Sequence, residues 1–299
     1  MPRLCAATSV LQLNLERFPH LRARQSAMRS QMRAQLQAQA PQPRDIPVVV
    51  HILDPIDPNR ISNAQVQSQI DVLNADFNNR NADLGQVPAP FKPLIGNPGV
   101  SFHLADNGIT RLKISKDDFA ADDTMKFAAK GGVDVRDPEN CMNIWVCPMR
   151  GGILGYAQFP ETAAPETDGV VINTMAFGTS GTAQAPFNLG RTATHEVGHY
   201  LGLFHIWGNS PFDSCSDDDE VDDTPMQRGP NGSTPTFPSH SCAGQPNGDM
   251  FMNYMDYVDD AAMFMFSQGQ VERMHAALAV SRPNLGVAAQ AAMGMARTG

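Results

Sequence analysis

The segment from His195 to His205 constrains this 299-residue chain more than any other, because it reads H-E-x-x-H-x-x-G-x-x-H. On a helix, His195 and His199 lie one turn apart on the same face, so their imidazoles can converge on one metal ion. Gly202 tolerates a positive φ, which ends the helix and lets His205 supply a third nitrogen. Three neutral nitrogens leave one position open, which is the arrangement of catalytic zinc.

Glu196 lies beside the ligand face of this predicted helix. Zinc lowers the pKa of a water molecule toward about 7, and a carboxylate at the helix edge can take its proton and pass it to a leaving amine. Glu196 is therefore the predicted general base. The alternative, a helix with fortuitous histidines, requires five matches at fixed spacing. Four other histidines lack that spacing and are predicted to be structural or surface groups: His51, His103, His240 and His275. His20 lies in the N-terminal 44 residues.

Length and composition favour a soluble globular protein. A chain of this length can bury a substantial core in one large or two medium domains. No run approaches 18 apolar residues, and the chain is 42% hydrophobic with 24 glycines and 23 prolines. These values exclude a membrane span, a collagen-like repeat and wholesale disorder, so we predict no membrane partner.

The net charge of −9 hides a basic N-terminus. Residues 1–44 contain seven arginines and one glutamate, and from Ser9 to Gln39 they are rich in helix-forming residues before Pro41 and Pro43. This predicts a basic helical arm over residues 1–44, followed by the folded domain. The acidic remainder would repel phosphate, so we predict no nucleic-acid partner.

The pattern after residue 44 predicts a mixed sheet with helices and an irregular lower portion. A β-branched run from Ile46 to Leu53 predicts a buried strand, and apolar spacing from Ser62 to Asn78 predicts an amphipathic helix. The remaining predicted elements are strands at 99–104, 109–114, 142–147 and 169–173 and helices at 189–202 and 267–280, the last following Ser267. Residues 207–250 are predicted to be irregular.

The five cysteines include at least one that is unpaired. Cys141 and Cys147 lie in one strand-like run, where six extended residues separate Cα atoms by roughly 20 Å, beyond disulfide reach. Cys215 and Cys242 flank a loop that a bridge would constrain. Such a bridge would indicate an exported protein, yet the N-terminus shows no secretory signal, so secretion is an expectation without a visible signal peptide.

The zinc motif and the segment 253–257, Asn-Tyr-Met-Asp-Tyr, together resemble the metzincin metallopeptidases, whose motif is followed by a methionine turn beneath the metal. The segment 219–227 is similar to the D-x-V-x-D-T-P-x-Q pattern of the pappalysin family, of ulilysin-like type. Residues 188–192 lead into the zinc helix as that family does. The resemblance covers about Ile46 to Ser281.

The resemblance implies an α+β fold whose upper subdomain is of α/β type. It has a twisted five-stranded sheet and the active-site helix, above a loop-rich lower subdomain. We place the catalytic domain at 45–286, divided into 45–205 and 206–286, and a C-terminal tail at 287–299. Only Cys215 and Cys242 are predicted to bridge, because Ala262 stands where the family commonly has one member of a second cysteine pair.

The resemblance also implies roles for residues in the lower subdomain. Met255 matches the methionine turn, and the alternative of core filling coincides with that role beneath the zinc. Tyr257 matches a tyrosine that donates to the tetrahedral oxyanion, against the alternative of a packed aromatic. Asp219, the Val221 carbonyl and Thr224 match part of a calcium site. The alternative there is a solvated acidic loop.

Three further expectations concern the cleft. Cys5, in Arg-Leu-Cys-Ala, resembles the Arg-x-Cys-Gly switch of the family's propeptide, so the arm is expected to be an intramolecular inhibitor through a thiolate on zinc. The alternative is an incidental leader cysteine. Ulilysin-like relatives prefer Arg after the scissile bond, and Asp259 and Asp260 are candidates for the acidic pocket. The strand at Val170, Val171 and Ile172 resembles the sheet edge that pairs with substrate.

We therefore predict a zinc endopeptidase that hydrolyses peptide bonds in proteins or peptides and is made as a latent precursor. Its expected metals are catalytic zinc and structural calcium. The first alternative is a catalytically inactive binding module with the metzincin fold, which Glu196 and the three histidines argue against. The second is an interaction protein that uses its basic helical arm. Both alternatives predict no peptide turnover after the arm is removed.

Overall fold

A five-stranded sheet organises the upper part of the molecule. The structure, a computed structural model, describes residues 2–36, 42–208 and 214–287. We number the strands of this sheet β1 to β5 in chain order: Arg44–Asp54, Val100–Lys113, Met142–Cys147, Gly155–Ala157 and Val170–Asn173. Their spatial order is β2-β1-β3-β5-β4, with every neighbouring pair parallel except the antiparallel pair of β4 and β5. This is the mixed five-stranded sheet that the sequence implied.

Strand β1 lies inside the sheet and is buried on both faces. Val48, Val49 and Val50 are fully buried, as a continuous β-branched run in a parallel sheet requires. The sequence placed its start at Ile46, and the strand begins slightly earlier, at Arg44. Strand β1 is therefore an interior strand of the sheet.

The described residues include five α-helices. Numbered α1 to α5 in chain order, they span Ala7–Arg17, His20–Leu36, Asn63–Asp76, Arg191–Tyr200 and Gln268–Ser281. Serines cap two of them. Ser62 Oγ accepts from Gln65 N at the start of α3, and Ser267 with Gln270 forms a reciprocal capping box at the start of α5. Both caps lie at the positions that the sequence indicated.

Strand β2 merges two predicted strands into one. The chain continues through Asn107, which adopts a positive φ of 51°, and the pairing with β1 shifts register between Val48 and Val50. From Val48 to Val50 strand β1 advances by two residues while β2 advances by five, from Leu104 to Ile109, so β2 accommodates three extra residues and then pairs again. On its outer edge, the Asn74 amide donates to Phe102 O at 2.8 Å and accepts from Phe102 N at 2.9 Å. This contact covers part of an exposed strand edge.

The prediction that Val170, Val171 and Ile172 form the sheet edge is wrong. Strand β5 is interior and fully buried, because β4 adds an antiparallel strand beyond it. The edge next to the cleft is therefore Gly155–Ala157. A three-residue strand that begins with glycine has no apolar alternation by which the sequence could reveal it.

The lower part is irregular, as expected, and is closed by a covalent bond. Cys215 and Cys242 form a disulfide with their Cα atoms 5.8 Å apart. Within the described residues, Cys5, Cys141 and Cys147 are free. Two short ladders complete this part, pairing Ile95–Gly96 with Phe266–Ser267 and Gly232–Ser233 with Tyr257–Val258.

The N-terminal arm is helical, as predicted, and consists of the two helices α1 and α2. Pro19 separates α1 from α2, because proline cannot continue the hydrogen bonding of α1. Helix α1 packs against β4, and α2 packs against α5. Most of the predicted tail, residues 288–299, lies outside the described residues. None of the helices in the described ranges has the length and apolar character needed to cross a membrane.

Candidate active site

The three histidines of the motif converge on one point. Helix α4 carries His195 and His199, and Gly202, with φ of 89°, turns the chain so that His205 faces them. His199 Nε2 lies 3.2 Å from His195 Nε2 and 3.1 Å from His205 Nε2. All three side chains are almost completely buried. The helix is shorter than the predicted 189–202, because Gly202 already lies beyond its end.

Hydrogen bonds at Nδ1 of His195 and His199 determine the protonation state of Nε2 in each ring. His195 Nδ1 and His199 Nδ1 each lie 2.7 Å from a backbone carbonyl, of Tyr254 and Leu203 respectively. Because a carbonyl only accepts, each Nδ1 carries the proton and each Nε2 presents a lone pair. Burial lowers the pKa of His199 to about 4. Burial and neighbouring imidazoles lower the pKa of His195, and burial and His199 lower that of His205, so the rings are neutral.

This geometry fits a metal ion. Lone pairs at these separations repel each other unless a cation lies between them. Tetrahedral zinc with bonds of about 2.0–2.1 Å places its nitrogen ligands about 3.3 Å apart, close to the observed spacing. The carbonyls on His195 and His199 are the outer hydrogen bonds that hold metal-binding imidazoles in one orientation. The donor set therefore suits zinc.

Two glycines make room around this centre. A Cβ at Gly198, inside the motif, would collide with Met255 Sδ, so only glycine lets the methionine lie against α4 at this point. A Cβ at Gly155 would lie 2.9 Å from Glu196 Cγ. Glu196 is 1% exposed, and burial raises its pKa to about 8, with Cys5 and Arg3 opposing that rise. The β4 backbone thus lies directly against the candidate base.

Cys5 enters the centre from the arm. Its Sγ lies in a group with the three histidines, within which the candidate ligand atoms are all within 4.8 Å of one another. The Cys5 thiol also donates to Glu196 Oε2 at 3.3 Å, and burial and Glu196 raise its pKa. The chain around it pairs in parallel with β4, where Ala6 N donates to Gly155 O at 3.0 Å. The arm therefore covers both the candidate base and the sheet edge.

Tyr257 lies on the other side of Cys5. Its hydroxyl donates to Cys5 O at 3.2 Å, and its ring centroid lies 5.7 Å from that of His195. Burial, Cys5 and Glu196 raise the pKa of the phenol, so it remains a donor at neutral pH. In this form of the chain the hydroxyl contacts a carbonyl oxygen beside the histidines.

A closed pocket beside the centre contains Arg3. The Arg3 guanidinium donates to Asp260 Oδ1 at 2.5 Å, to Thr192 Oγ1 at 3.0 Å and to Val258 O at 3.0 Å. Its Cζ lies 5.1 Å from the ring centroid of Phe187. Arg3 is 2% exposed. Of the two acids predicted for this pocket, Asp260 makes the contact with Arg3.

The other oxygen of Asp260 is fixed by backbone. Asp260 Oδ2 accepts from Leu189 N at 2.8 Å and from Arg191 N at 3.3 Å, at the start of α4. Since that oxygen is occupied, Oδ1 is left to face the pocket. The pocket is therefore shaped and charged to receive a planar cation.

The acidic loop brings the three predicted calcium ligands together. Thr224 Oγ1 lies 2.6 Å from Asp219 Oδ1 and 2.8 Å from Val221 O. Within the described residues Asp219 Oδ2 is buried and has no hydrogen-bond partner, and burial raises the pKa of this carboxyl to about 7. An orphaned carboxylate oxygen beside a carbonyl and a hydroxyl is a donor set that suits a hard cation.

Several residues of the site had no signal in the sequence. Thr192, Val258 and Phe187 line the Arg3 pocket, and Thr8 Oγ1 lies 3.3 Å from His205 Nδ1. These contacts join parts of the chain up to 255 residues apart. A local pattern cannot report such pairs.

Comparison with known proteins agrees with the geometry. Residues 132–279 match the Peptidase_M43 family model, described as pregnancy-associated plasma protein-A. An extracellular metalloprotease of Arthroderma benhamiae is 33% identical over 232 residues, which cover 75% of this chain and 68% of that protein.

Two solved structures of Tannerella forsythia proteins are also similar. A promirolysin mutant is 40% identical with a TM-score of 0.87, covering 95% of this chain and 97% of that chain. Mature mirolysin in complex with a cleaved peptide is 43% identical with a TM-score of 0.76, covering 83% and 99%. The proenzyme match includes the arm region, and the mature match covers less of this chain.

Proposed function

The chain belongs to the pappalysin family of metallopeptidases, so it is a zinc-dependent endopeptidase, and we propose that His195, His199 and His205 hold its zinc ion. The observation that carries this assignment is the set of three convergent Nε2 atoms, with the Nδ1 protons of His195 and His199 engaged by carbonyls. The substrates are proteins or peptides. Extracellular relatives support secretion of this chain.

Zinc, when bound, supplies Lewis-acid chemistry that polarises a carbonyl and makes water a stronger nucleophile. Glu196 accepts the proton of the attacking water and donates it to the leaving amine. Its buried position beside Gly155 holds the carboxylate against the edge strand, where an extended peptide would lie. Tyr257, whose hydroxyl donates to a carbonyl beside the histidines, stabilises the oxyanion of the tetrahedral intermediate.

We assign substrate pairing to β4 rather than to Val170, Val171 and Ile172. The arm already uses this edge, since Leu154 N donates to Leu4 O at 2.8 Å and Ala6 N donates to Gly155 O at 3.0 Å. Backbone groups that bind the arm are available to a peptide once the arm has left. An extended substrate can therefore add a strand at this edge.

The arm, residues 1–44, inhibits the enzyme at two points. Cys5 takes the position beside the histidines that the reaction needs, and Arg3 fills the pocket formed around Asp260. The same pocket gives the mature enzyme a preference for Arg after the scissile bond, because it engages a guanidinium through a buried carboxylate. The catalytic domain occupies 45–286, with the division near residue 205.

Asp219, the Val221 carbonyl and Thr224 hold a calcium ion. The support is the clustering of their oxygens together with the buried Asp219 Oδ2, for which the described part of the chain offers no hydrogen-bond partner. A cation there offsets the free-energy cost of burying that oxygen. Its role is structural.

Removal of zinc tests the proposed function. Arm-free protein treated with a zinc chelator is expected to lose at least 99% of its peptidase activity, roughly 3 kcal/mol of barrier, and to regain it with one equivalent of zinc. Metal analysis should find one zinc per chain before treatment. A peptide library digested in parallel reports the cut sites. Chelator-resistant cleavage, or no cleavage by metal-loaded protein, would contradict the proposal.

Asp260→Asn is expected to remove the preference for Arg. Losing one partner of a buried charge pair costs about 2–5 kcal/mol, so kcat/KM for a peptide with Arg after the scissile bond should fall roughly 30-fold or more. The same peptide with Leu there should change only a few-fold. Asp259→Asn is the matched control and should leave the ratio of the two substrates unchanged. Equal losses for both peptides would exclude this pocket.

A further inference from the structure

A second arginine of the arm, whose side chain is 28% exposed, contacts the body away from the zinc-site histidines. Arg29, on α2, places its Cζ 4.8 Å from the ring centroid of Phe204. Its Nη1 lies 2.9 Å from Glu220 Oε1, and its Nε lies 3.9 Å from Glu161 Oε1. An aromatic face and two carboxylates thus surround one guanidinium of the arm.

Glu161 is the unusual member of this group. Its side chain is fully buried, and neither carboxylate oxygen has a hydrogen-bond partner in the described part of the chain. A buried carboxylate without partners is costly unless a cation lies close to it. The ion-pair contact that Glu161 makes within the described residues is to Arg29. Glu161 therefore depends on the arm for its counter-charge.

One cation of the body also belongs to this group. Arg273, on α5, places its Cζ 4.6 Å from the Phe204 centroid, and its Nη1 lies 3.2 Å from Glu220 Oε2. Its Nε donates to Gly202 O at 2.7 Å, so its position does not depend on the arm. Removing the arm therefore leaves Arg273 paired with Glu220, and leaves Glu161 and Phe204 without the Arg29 guanidinium.

The group is adjacent to the catalytic centre but separate from it. Phe204 precedes His205 in the chain, and the Phe159 ring lies between, with its centroid 5.4 Å from Phe204 and 5.2 Å from His199. Arg3 fills a different pocket, at Asp260. A polypeptide bound at Phe204 would thus be held close to the cleft without entering it.

We propose that Glu161, Phe204 and Glu220 form a second guanidinium-binding site, which the arm fills with Arg29 in the precursor and which binds an arginine side chain of another polypeptide after the arm has gone. Arginine suits the site better than lysine, because a planar guanidinium stacks on an aromatic ring while donating to carboxylates in its own plane. The inference rests on the proposed function only in that activation removes the arm.

The affinity of the cleaved arm for the body tests the proposed site, because residues of the arm and of the body can be changed separately. A recognition site for an unrelated protease, inserted at residues 38–40 in a Glu196→Gln background, allows the arm to be cut and separated while the body stays inactive. The match to mature mirolysin, which is 43% identical and covers 83% of this chain, supports a body that is stable alone. Dissociation constants are then measured with labelled arms. We expect Arg29→Gln to weaken binding at least tenfold, and Arg22→Gln, an exposed arginine on the same helix, to change it less than twofold.

A double-mutant cycle locates the effect. Glu161→Gln in the body should weaken the native arm about tenfold but change binding of the Arg29→Gln arm little, because coupled partners are non-additive. Glu166→Gln, an exposed acid on the same loop, is the control. Additive effects, or an Arg29→Gln arm that binds as tightly as the native arm, would overturn the site.

A competition experiment tests separately whether the site accepts other polypeptides. Acetyl-arginine amide at millimolar concentration should displace an arm that carries Arg3→Ala and Cys5→Ala, and acetyl-citrulline amide, which is nearly isosteric and neutral, should not. Equal effects of the two compounds would overturn the general binding role. Because every readout is binding to an inactive body, failure of the peptidase assignment would leave these results interpretable.

Discussion

Replacing Glu196 with glutamine is expected to lower kcat/KM of the arm-free enzyme by about a thousandfold or more, while the zinc content stays at one ion per chain. A general base contributes about 10²–10⁴ in rate, and here the same carboxylate takes the proton of water and returns it to the amine. Glutamine keeps the volume beside Gly155 but cannot accept that proton. The measurement is peptide cleavage together with metal analysis of the same sample.

The controls separate chemistry from folding. Glu166→Gln makes the same change at an exposed position and should retain activity within a factor of two. Thermal unfolding of Glu196→Gln should match or exceed that of the native protein, because a buried carboxylate whose pKa is raised by burial becomes a neutral amide. A Glu196→Gln enzyme with a tenth of normal activity would remove Glu196 from the role of general base.

The sequence predicted the parts of the site that are local in the chain. His195, Glu196 and His199 share one helix whose periodicity fixes their relative positions, and Gly202 sets the turn to His205 through its backbone freedom alone. The capping serines of α3 and α5 are local in the same sense. Local sequence rules are therefore sufficient to predict how the metal-binding histidines and Glu196 are arranged, without information on the rest of the fold.

Residues that meet only in the folded chain could not be predicted in this way. The edge strand β4 has three residues, and its importance comes from its position between β5 and the cleft rather than from its composition. The choice between Asp259 and Asp260 depends on which carboxylate the α4 amides hold, which neighbouring positions in a sequence cannot distinguish. The counter-charge of Glu161 comes from an arm more than a hundred residues away.

Arg3 and Cys5 are each expected to contribute part of the latency, so that the double variant Arg3→Ala, Cys5→Ala gives an uncleaved chain at least about a hundred times more active than the native precursor. Each residue blocks a different need of catalysis: Cys5 covers the histidines and Glu196, and Arg3 fills the pocket at Asp260. Losing one buried charged contact costs about 2–5 kcal/mol, so either single variant should release only part of the activity. Initial rates on a short peptide, with gels that verify an intact arm, provide the measurement.

Chemical modification of the Cys5 thiol is also expected to activate the precursor. A thiol-reactive mercurial should raise the activity of the native precursor and of Arg3→Ala, since both keep Cys5, and should have no effect on Cys5→Ala. Arg22→Ala, an exposed arginine of α2, controls for loss of charge from the arm and should remain latent.

A double variant as inactive as the native precursor would show that the helices α1 and α2, rather than the Cys5 and Arg3 contacts, keep the enzyme inactive. Because α2 carries Arg29, the difference in activity between the double variant and the arm-free enzyme measures how much inhibition the contacts outside the cleft provide.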